Sequence, residues 1–308
     1  MSDSKRVLFS LIVPTISRRE DVGRLLASIE AQSFRDFEVI VIDQNRGDLL
    51  DAIFRDFSTR LPLQRVRTEP KGPARARNHG LGVAKGTLIN FPDDDCEFRP
   101  ELLARVAAHM DAHPELDALF ARAVDPISGE SSVTKFDTQS QWVTAENLYR
   151  TTVEFTMFAR RGLFDDVGPL DEKLGVGTYF GAEEGADFVL RAIYKNKRLY
   201  YDPTLLISHI QKVTRYDAKE RQRAYHYGKG FGRLSVKHAF LYKKPFAAFR
   251  FLNFQLRAAA GALFAICHLQ PARAAYYLWV VRGRFVGVLK SWSEFSIRQV
   301  PNEEGTVS

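Results

Sequence analysis

The sequence predicts an α/β protein whose core is a doubly wound, mostly parallel β-sheet, followed by a helical, basic C-terminal extension. Between residues 7 and 124, apolar segments of strand length alternate with amphipathic segments of helical period. This alternation is typical of a parallel sheet covered by helices on both faces. Residues 241–300 contain nine Lys and Arg and one acidic residue, whereas the whole chain has a net charge of +7. The positive charge therefore belongs to the extension.

The apolar periodicity defines the individual elements. In segment 19–31 the apolar residues recur at the i, i+3, i+4, i+7 spacing of a helix. Segment 38–43 is apolar on both faces, which favours a central strand. The predicted strands are residues 7–14, 38–43, 63–68, 87–91, 116–124 and 152–160, followed by one or two strands over residues 199–201 and 205–207. The predicted helices are residues 19–31, 48–57, 75–84, 100–112, 162–171 and 184–195.

The composition is that of a globular protein from a reducing compartment. Of the 308 residues, 45% are hydrophobic and 26% are charged. Cys96 and Cys267 are the only cysteines, so no disulfide framework is expected. The N-terminus lacks the long apolar region of a signal peptide. No segment reaches the roughly 20 apolar residues of a spanning helix. We therefore expect a cytoplasmic location.

Three consecutive carboxylates, Asp93, Asp94 and Asp95, follow the predicted strand 87–91. Like charges on adjacent residues raise one another's pKa unless a positive group lies among them. A divalent cation that carries a phosphate meets this need, since Mg²⁺ is usually held by one or two carboxylates plus substrate phosphates. The alternative is an acidic turn that caps the helix beginning near Pro100.

Further polar residues follow the other predicted strands. In a doubly wound sheet, ligands bind beyond the carboxyl ends of the strands, so these residues are expected at one edge with the aspartates. Arg and Lys suit phosphate charge, and the helix beginning near Arg75 would add its N-terminal N–H groups. Considered alone, each of these residues also has a structural interpretation. Arg18 and Arg75 are then surface charges, and Asp43 caps a turn. The residues grouped in this way are Thr15, Arg18, Asp43 and the segment 71–78.

A glycine-rich segment, residues 175–187, leads into the helix 184–195 and places Glu183, Glu184 and Asp187 near its first turn. One interpretation is a general base presented by a glycine-rich loop. The other is structural, because acids are stabilised at a helix N-terminus and Asp187 with Arg191 forms an ordinary i, i+4 pair. His209, after the last predicted strand, is either structural or contacts metal or phosphate.

Five segments together resemble glycosyltransferase family 2, the inverting enzymes with a GT-A fold. The resemblance covers roughly residues 9–215 in the family's order. The segments are Val-Pro-Thr-Ile-Ser-Arg (13–18), Val-Ile-Val-Ile-Asp (39–43), Gly-Pro-Ala-Arg-Ala-Arg-Asn-His-Gly-Leu (72–81), Phe-Pro-Asp-Asp-Asp (91–95) and Val-Gly-Pro-Leu-Asp-Glu (167–172). Segment 72–81 is similar to the start of the family's helix that carries an arginine and an asparagine. Segment 91–95 is similar to the family's metal-binding Asp-x-Asp segment.

The resemblance implies roles for these residues. Asp43 would contact the base or ribose of a UDP, GDP or dTDP sugar. Asp95, assisted by Asp93, would hold Mg²⁺ or Mn²⁺, and His209 matches a histidine that some members place near the metal. The full set expected to bind substrate is Pro14, Thr15, Arg18, Asp43, Lys71, Arg75, Arg77, Asn78, Asp93, Asp94 and Lys212.

One departure from the family concerns the catalytic base. The family usually shows Glu-Asp-x-Asp before the helix that leads to an arginine. Aligned on Asp187 and Arg191, this chain has Glu184 followed by Gly185 there, so glycine occupies the usual base position. We assign Glu184 as the base, with Glu183 in reserve and Asp187 nearby.

The two predicted domains are a catalytic domain, residues 1–235, and a basic amphipathic helical extension, residues 236–308. Basic, aromatic-rich amphipathic helices lie in an anionic membrane interface, so residues 243–292 are expected to dock on a membrane. The alternative is a helical pair packed on protein. Nucleic-acid binding is disfavoured, because the basic residues alternate with long apolar runs.

The sequence therefore predicts an inverting, metal-dependent glycosyltransferase on the inner face of the cell membrane. The processive Gln-x-x-Arg-Trp motif is absent from the sequence, so transfer of a single sugar is expected. The acceptor would be a glycan or a lipid-linked glycan of cell-surface polysaccharide or glycolipid synthesis. The alternative, suggested by Gly185, is a catalytically silent protein of the same fold that binds nucleotide sugar or membrane.

Overall fold

The computed structural model describes residues 7–69, 71–211 and 215–297. The chain forms two compact units. The first comprises the described residues of Met1–Glu172 and Glu184–Lys212, and the second those of Lys173–Glu183 and Val213–Ser308. The functional domain boundary after residue 235 remains a prediction.

The first unit is built on one mixed sheet, which has nine strands within the described residues. The strands are β1 (Phe9–Thr15), β2 (Phe37–Asp43), β3 (Leu63–Arg67), β4 (Leu88–Asn90), β5 (Cys96–Phe98), β6 (Ala118–Val124), β7 (Gln141–Trp142), β8 (Met157–Arg160) and β9 (Leu199–His209). Their order is β3-β2-β1-β4-β8-β6-β9-β5, and β7 pairs with β9. The predicted α/β class with a mostly parallel sheet is confirmed.

The parallel part of the sheet joins β3, β2, β1 and β4, with β6 parallel to β9. β1 and β2 are buried along their whole length, as expected for strands covered on both faces. The strands β5, β7 and β8 run antiparallel to their neighbours. Their direction could not be predicted, because an apolar pattern does not reveal which way a strand runs.

The strands β5 and β7 were not predicted. The predicted strand 152–160 is extended only from Met157, since a 3₁₀ turn precedes it. Residues 199–201 and 205–207, predicted as one strand or two, form the single strand β9. The pairing of β9 with β6 shifts register between Phe120 and Arg122, opposite the segment that contains Pro203. Proline has no N–H to donate to the ladder, and the shift lets the strand continue past it.

Seven helices in the described part of the first unit connect and cover these strands: α1 (Arg19–Glu30), α2 (Asp51–Phe57), α3 (Pro73–Val83), α4 (Leu102–Ala112), α5 (Leu148–Thr151), α6 (Arg161–Val167) and α7 (Glu184–Tyr194). α3 packs closely on β1, because a Cβ on Gly80 would lie 2.2 Å from Cγ2 of Ile12. This close approach fixes the start of α3 near the carboxyl ends of β1 and β2.

The second unit contains the long helices α8 (Ala218–Val236), α9 (Pro245–Cys267) and α10 (Pro271–Ile297). α8 and α10 cross with their backbones in contact through two glycines on each helix: Gly228, Gly232, Gly283 and Gly287. A Cβ on Gly287 would lie 2.2 Å from the carbonyl oxygen of Lys229. In the part of the chain that the structure describes, no helix is both long and apolar enough to cross a membrane.

Candidate active site

An acidic turn joins β4 to β5 at the carboxyl edge of the parallel strands. β4 ends at Asn90 and β5 begins at Cys96, so the three aspartates are the last residues of the connection 91–95. β5 pairs with β9 so that Cys96 lies opposite His209. This register places the imidazole beside the turn: Nε2 of His209 lies 3.3 Å from Oδ1 of Asp95, and Nδ1 lies 3.0 Å from Oγ of Ser132.

The end of β1 supplies the groups that hold Asp94 and Asp95. Pro14 is buried within β1, and Oγ1 of the next residue, Thr15, donates a hydrogen bond of 2.8 Å to Oδ2 of Asp94. Arg18 hydrogen-bonds Asp95 through Nη1, which is 3.5 Å from Oδ1 of Asp94. Burial raises the pKa of Asp94 to about 7. Burial also acts on Asp95, but hydrogen bonds from the imidazole and from Arg18 outweigh it and hold its pKa well below the usual range.

Arg77 is the buried cation of the site, with only 3% of its surface exposed. It lies in α3 and donates hydrogen bonds from Nη2 to Oδ1 of Asp93 (2.8 Å) and from Nη1 to Oε1 of Glu184 (3.0 Å). Burial, reinforced by the negative charge of Glu154, raises the pKa of Glu184 to about 7 and also raises the pKa of Asp93. Arg77 therefore joins the acidic turn to the start of α7.

Glu154 is a further carboxylate of the site, and the sequence analysis missed it. It begins the 3₁₀ turn Glu154–Thr156, directly before β8. Because β8 is antiparallel to β4, with Phe158 opposite Asn90, the amino end of β8 lies at the carboxyl edge of β4. Oε1 of Glu154 accepts a hydrogen bond of 2.9 Å from the backbone N–H of Gly185. The sequence analysis could have identified Glu154 only if the direction of β8 had been known.

Asp43, predicted to contact the nucleotide, ends β2 with no exposed surface. Arg65 donates two hydrogen bonds to its Oδ2, at 2.8 and 2.6 Å, and the side-chain amide of Asn45 donates one of 2.7 Å to its Oδ1. Lys71 and Arg75, predicted to bind phosphate, have exposed side chains at the start of α3. The nucleotide contacts of all three remain predictions.

Two predicted residues hold the turn that precedes the glycine-rich segment. The side-chain amide of Asn78 donates to the carbonyl of Leu170 (2.9 Å) and accepts from its N–H (3.0 Å). Asp187 is fully buried and accepts a hydrogen bond of 2.8 Å from Nε of Arg191, which also donates to the backbone carbonyls of residues 167 and 169. For the last two predicted residues, Glu183 belongs to the second unit and Lys212 lies outside the described residues.

The predicted metal ligands are Asp93, Asp95 and His209. Two carboxylates and an imidazole suit Mn²⁺, and carboxylates with added phosphate oxygens suit Mg²⁺. In this structure Asp93 pairs with Arg77, and Asp95 with Arg18. Among the described residues, no group of three or more His, Cys, Asp or Glu is arranged to hold a metal ion. The ligand types suit a divalent cation, although the two carboxylates pair with arginines in this structure.

A doubly wound sheet with carboxylates and arginines at this edge defines the GT-A class of fold, and solved structures confirm the class. Staphylococcus aureus TarS 1–349, in complex with UDP-GlcNAc, matches with a TM-score of 0.57 and 20% identity over 95% of this chain and 92% of that chain. A mannosyltransferase from Pyrobaculum calidifontis, in complex with GDP-Man and Mn²⁺, matches with a TM-score of 0.58 and 19% identity over 94% of this chain and 88% of that one.

The sequence comparisons identify the family. A PGL/p-HBAD biosynthesis glycosyltransferase of Mycobacterium tuberculosis is 29% identical over 170 residues, which are 53% of this chain and 62% of the relative. The chain thus spans less than two thirds of the curated relatives that it matches first. The family model described as Glycosyl transferase family 2 matches residues 10–165. The chain belongs to glycosyl transferase family 2.

Proposed function

We propose that this protein transfers one sugar from a nucleoside diphosphate sugar to a hydroxyl group of a glycan or lipid-linked acceptor, with inversion at the anomeric carbon. The proposal depends chiefly on one observation: the acidic turn lies at the carboxyl edge of the sheet between two arginines, Arg18 and Arg77. The structural neighbours that hold UDP-GlcNAc and GDP-Man support a donor of the UDP or GDP type; a dTDP sugar carries the same diphosphate.

Membership of the family and the Mn²⁺ complex of one neighbour support a divalent cation, Mg²⁺ or Mn²⁺. Asp95, Asp93 and His209 would hold it. When bound, such an ion acts as a Lewis acid that neutralises charge on a leaving diphosphate. Arg18 adds a guanidinium suited to phosphate oxygens, and Arg77 holds the carboxylate of Asp93 in position.

The acceptor hydroxyl needs a general base on the side of the sugar opposite the leaving diphosphate. Attack from that side inverts the anomeric centre. The carboxylates around Arg77 are suited to this task, because proton transfer is most efficient when the pKa of the base lies near the working pH, and the pKa of Glu184 is raised to about 7. Glu184 is the base that the sequence analysis assigned.

A second candidate function is supported by Gly185. Because the family's usual base position carries no side chain, the protein could bind nucleotide sugar without turning it over. The two functions differ in one measurable respect, since a silent protein binds the nucleoside diphosphate but releases none from a nucleotide sugar.

The second unit supports docking on an anionic membrane surface, which would bring the enzyme to a lipid-linked acceptor on the inner face of the cell membrane. Four large apolar side chains of α9 are between 56% and 71% exposed and recur at helical spacing: Phe249, Leu252, Leu256 and Leu263. Exposed basic residues flank the stripe, among them Lys243 and Arg257. Apolar area together with positive charge is what interfacial helices use.

The proposed activity is tested by screening UDP, GDP and dTDP sugars for release of nucleoside diphosphate, with Mn²⁺ or Mg²⁺ and with chelator. Metal-dependent release from one donor, and sugar transfer to an acceptor glycan, is the expected result. Nucleotide binding in a thermal-shift assay without release or transfer would favour the silent protein. Absence of both binding and release would contradict the proposed site.

A further inference from the structure

The side chain of Glu154 occupies the space that a side chain at position 185 would need. If residue 185 carried a side chain, its Cβ would lie 2.3 Å from Oε1 of Glu154 and 2.4 Å from both its Cδ and its Cγ. These separations are far below van der Waals contact. The carboxylate of Glu154 therefore stands where the first atoms of a side chain at position 185 would be, and the absence of that side chain is what makes room for it.

We propose that Glu154 supplies the catalytic carboxylate that position 185 lacks and acts as the general base for the acceptor hydroxyl. This inference deepens the proposed function and rests on it. It replaces Glu184 as the assigned base. It also explains why a glycine at the usual base position is compatible with turnover, because a carboxylate from a different part of the chain reaches the same place.

The hydrogen bonds distinguish Glu154 from its neighbours around Arg77. Asp93 and Glu184 each use an oxygen to accept a hydrogen bond from Arg77. Glu184 is only 6% exposed, whereas Glu154 keeps partial exposure to solvent. Oε1 of Glu154 is held by the N–H of Gly185. Among the described residues Oε2 has no hydrogen-bond or ion-pair partner, so Glu154 is oriented through one oxygen and can accept a proton on the other.

The proposed step is a single displacement. Glu154 takes the proton of the acceptor hydroxyl, the acceptor oxygen forms a bond to the anomeric carbon, and the bond from that carbon to the diphosphate oxygen breaks. The nucleoside diphosphate leaves with the electron pair. The backbone N–H of Gly185 holds Oε1 of Glu154 and so fixes the orientation of the carboxylate.

The experiment uses the full-length protein and the donor found in the screen, here probed first with UDP-GlcNAc and GDP-mannose. Glu154→Gln keeps the size and the acceptor oxygen for the Gly185 N–H but cannot take a proton. We expect it to lower kcat by about 10²- to 10⁴-fold, the usual contribution of a general base. The affinity for the nucleoside diphosphate should change less than about twofold, since only the acceptor step is affected. Glu115→Gln, at an exposed glutamate, is the matched control.

A reciprocal pair of variants tests the shared volume directly. Gly185→Asp alone should lower the activity and, modestly, the melting temperature, because its Cβ displaces the Glu154 side chain and breaks the hydrogen bond to the N–H of residue 185. Glu154→Ala removes the base and should also be nearly inactive. The double variant Glu154→Ala with Gly185→Asp places a carboxylate on the other residue, and we expect it to regain at least about tenfold in activity over Glu154→Ala, together with the lost stability.

Two outcomes would overturn the inference. Wild-type turnover in Glu154→Gln would exclude the base role, and loss of turnover in Glu184→Gln at the same time would return that role to Glu184. No recovery of activity in the double variant, although it folds, would show that the two positions are not equivalent. Wild-type protein that releases nothing from any donor would instead overturn the proposed function itself, so the two failures are distinguishable.

Discussion

The carboxylate of Glu154 accepts a hydrogen bond of 2.9 Å from the backbone N–H of Gly185, and it fills the space that a side chain at position 185 would need. The two residues are 31 positions apart, and they meet because β8 runs antiparallel to β4 at the edge that holds the acidic turn. The contact ties the start of α7 to the segment before β8.

Removal of the divalent cation or of its proposed ligand should abolish donor turnover. We expect chelator, or Asp95→Asn, to lower the rate of nucleoside diphosphate release by at least about 100-fold. A Lewis acid stabilises the transition state by several kcal/mol, which corresponds to a rate factor of about 100 or more. Release is measured with and without Mn²⁺ and Mg²⁺, and thermal unfolding shows whether Asp95→Asn is folded. Full activity of the wild-type protein in excess chelator would exclude the metal role.

Loss of the buried cation at the centre of the site should destabilise the fold. Arg77→Met leaves the buried carboxylate of Glu184 and the partly exposed carboxylate of Asp93 without their partner, and breaking a buried ion pair in this way typically costs about 3–5 kcal/mol. Chemical denaturation measures the free energy of unfolding. Arg75→Met, on the same helix but exposed, is the matched control and should change stability by less than about 0.5 kcal/mol. Equal stability of the two variants would contradict this account.

Asp94 should make the metal-free protein less stable as the pH rises. Its pKa is raised to about 7 in the folded state, above the value of about 3.9 in an unfolded chain. Between these values the folded state binds more protons than the unfolded state, so stability falls from about pH 4 to pH 7. Asp94→Asn removes this dependence.

In chelator we expect Asp94→Asn to be more stable than wild type at pH 8, by up to about 4 kcal/mol for a shift of about three pKa units. The advantage should vanish below about pH 4, where both side chains are neutral. Denaturation curves from pH 4 to 8 provide the measurement, with the exposed Asp111→Asn as control. A variant no more stable than wild type at pH 8 would count against the raised pKa.

The glycine crossing of α8 and α10 should not tolerate a methyl group. In Gly287→Ala the new Cβ would lie 2.2 Å from the backbone oxygen of Lys229, and helix backbones can relieve such a clash only by moving apart. We expect a loss of about 1–3 kcal/mol, the usual cost of overpacking, measured by thermal unfolding.

Gly82→Ala is the control for the crossing, because nothing lies within 4 Å of a Cβ at Gly82 in α3. Alanine has the higher helix propensity, so this change should be neutral or stabilising by up to about 1 kcal/mol. If both glycine variants behaved alike, the close contact between α8 and α10 would not be the cause.

The exposed stripe of α9 should govern binding to anionic vesicles. Replacing Leu256 and Leu263 with Gln should weaken binding by about tenfold or more, because each leucine contributes roughly 1–2 kcal/mol when its exposed part enters an apolar environment. Co-sedimentation with vesicles that contain anionic lipid, at low salt, measures the effect. Ile127→Gln, at an exposed apolar residue outside the stripe, should bind as wild type does. If the wild-type protein did not bind these vesicles, membrane docking would be excluded.

Much of the fold was accessible from periodicity alone. β1 and β2 are apolar on both faces and were predicted as buried strands, because a strand inside a parallel sheet excludes water on both sides. α1 followed from the spacing of its buried residues. β5 was not predicted, because a strand of three residues is too short to show an apolar periodicity. The sequence left open whether residues 199–207 form one strand or two, because proline ordinarily ends a strand.

The sequence by itself determined the class of fold, the family and the position of the acidic segment, because these depend on local order: apolar spacing along the chain and motifs of adjacent residues. Only the tertiary structure decided which charges pair. Arg77 joins Asp93 to Glu184, His209 reaches Asp95, and Glu154 enters the space beside Gly185. These contacts depend on strand direction and register, which bring together residues far apart in the chain and which no local pattern specifies.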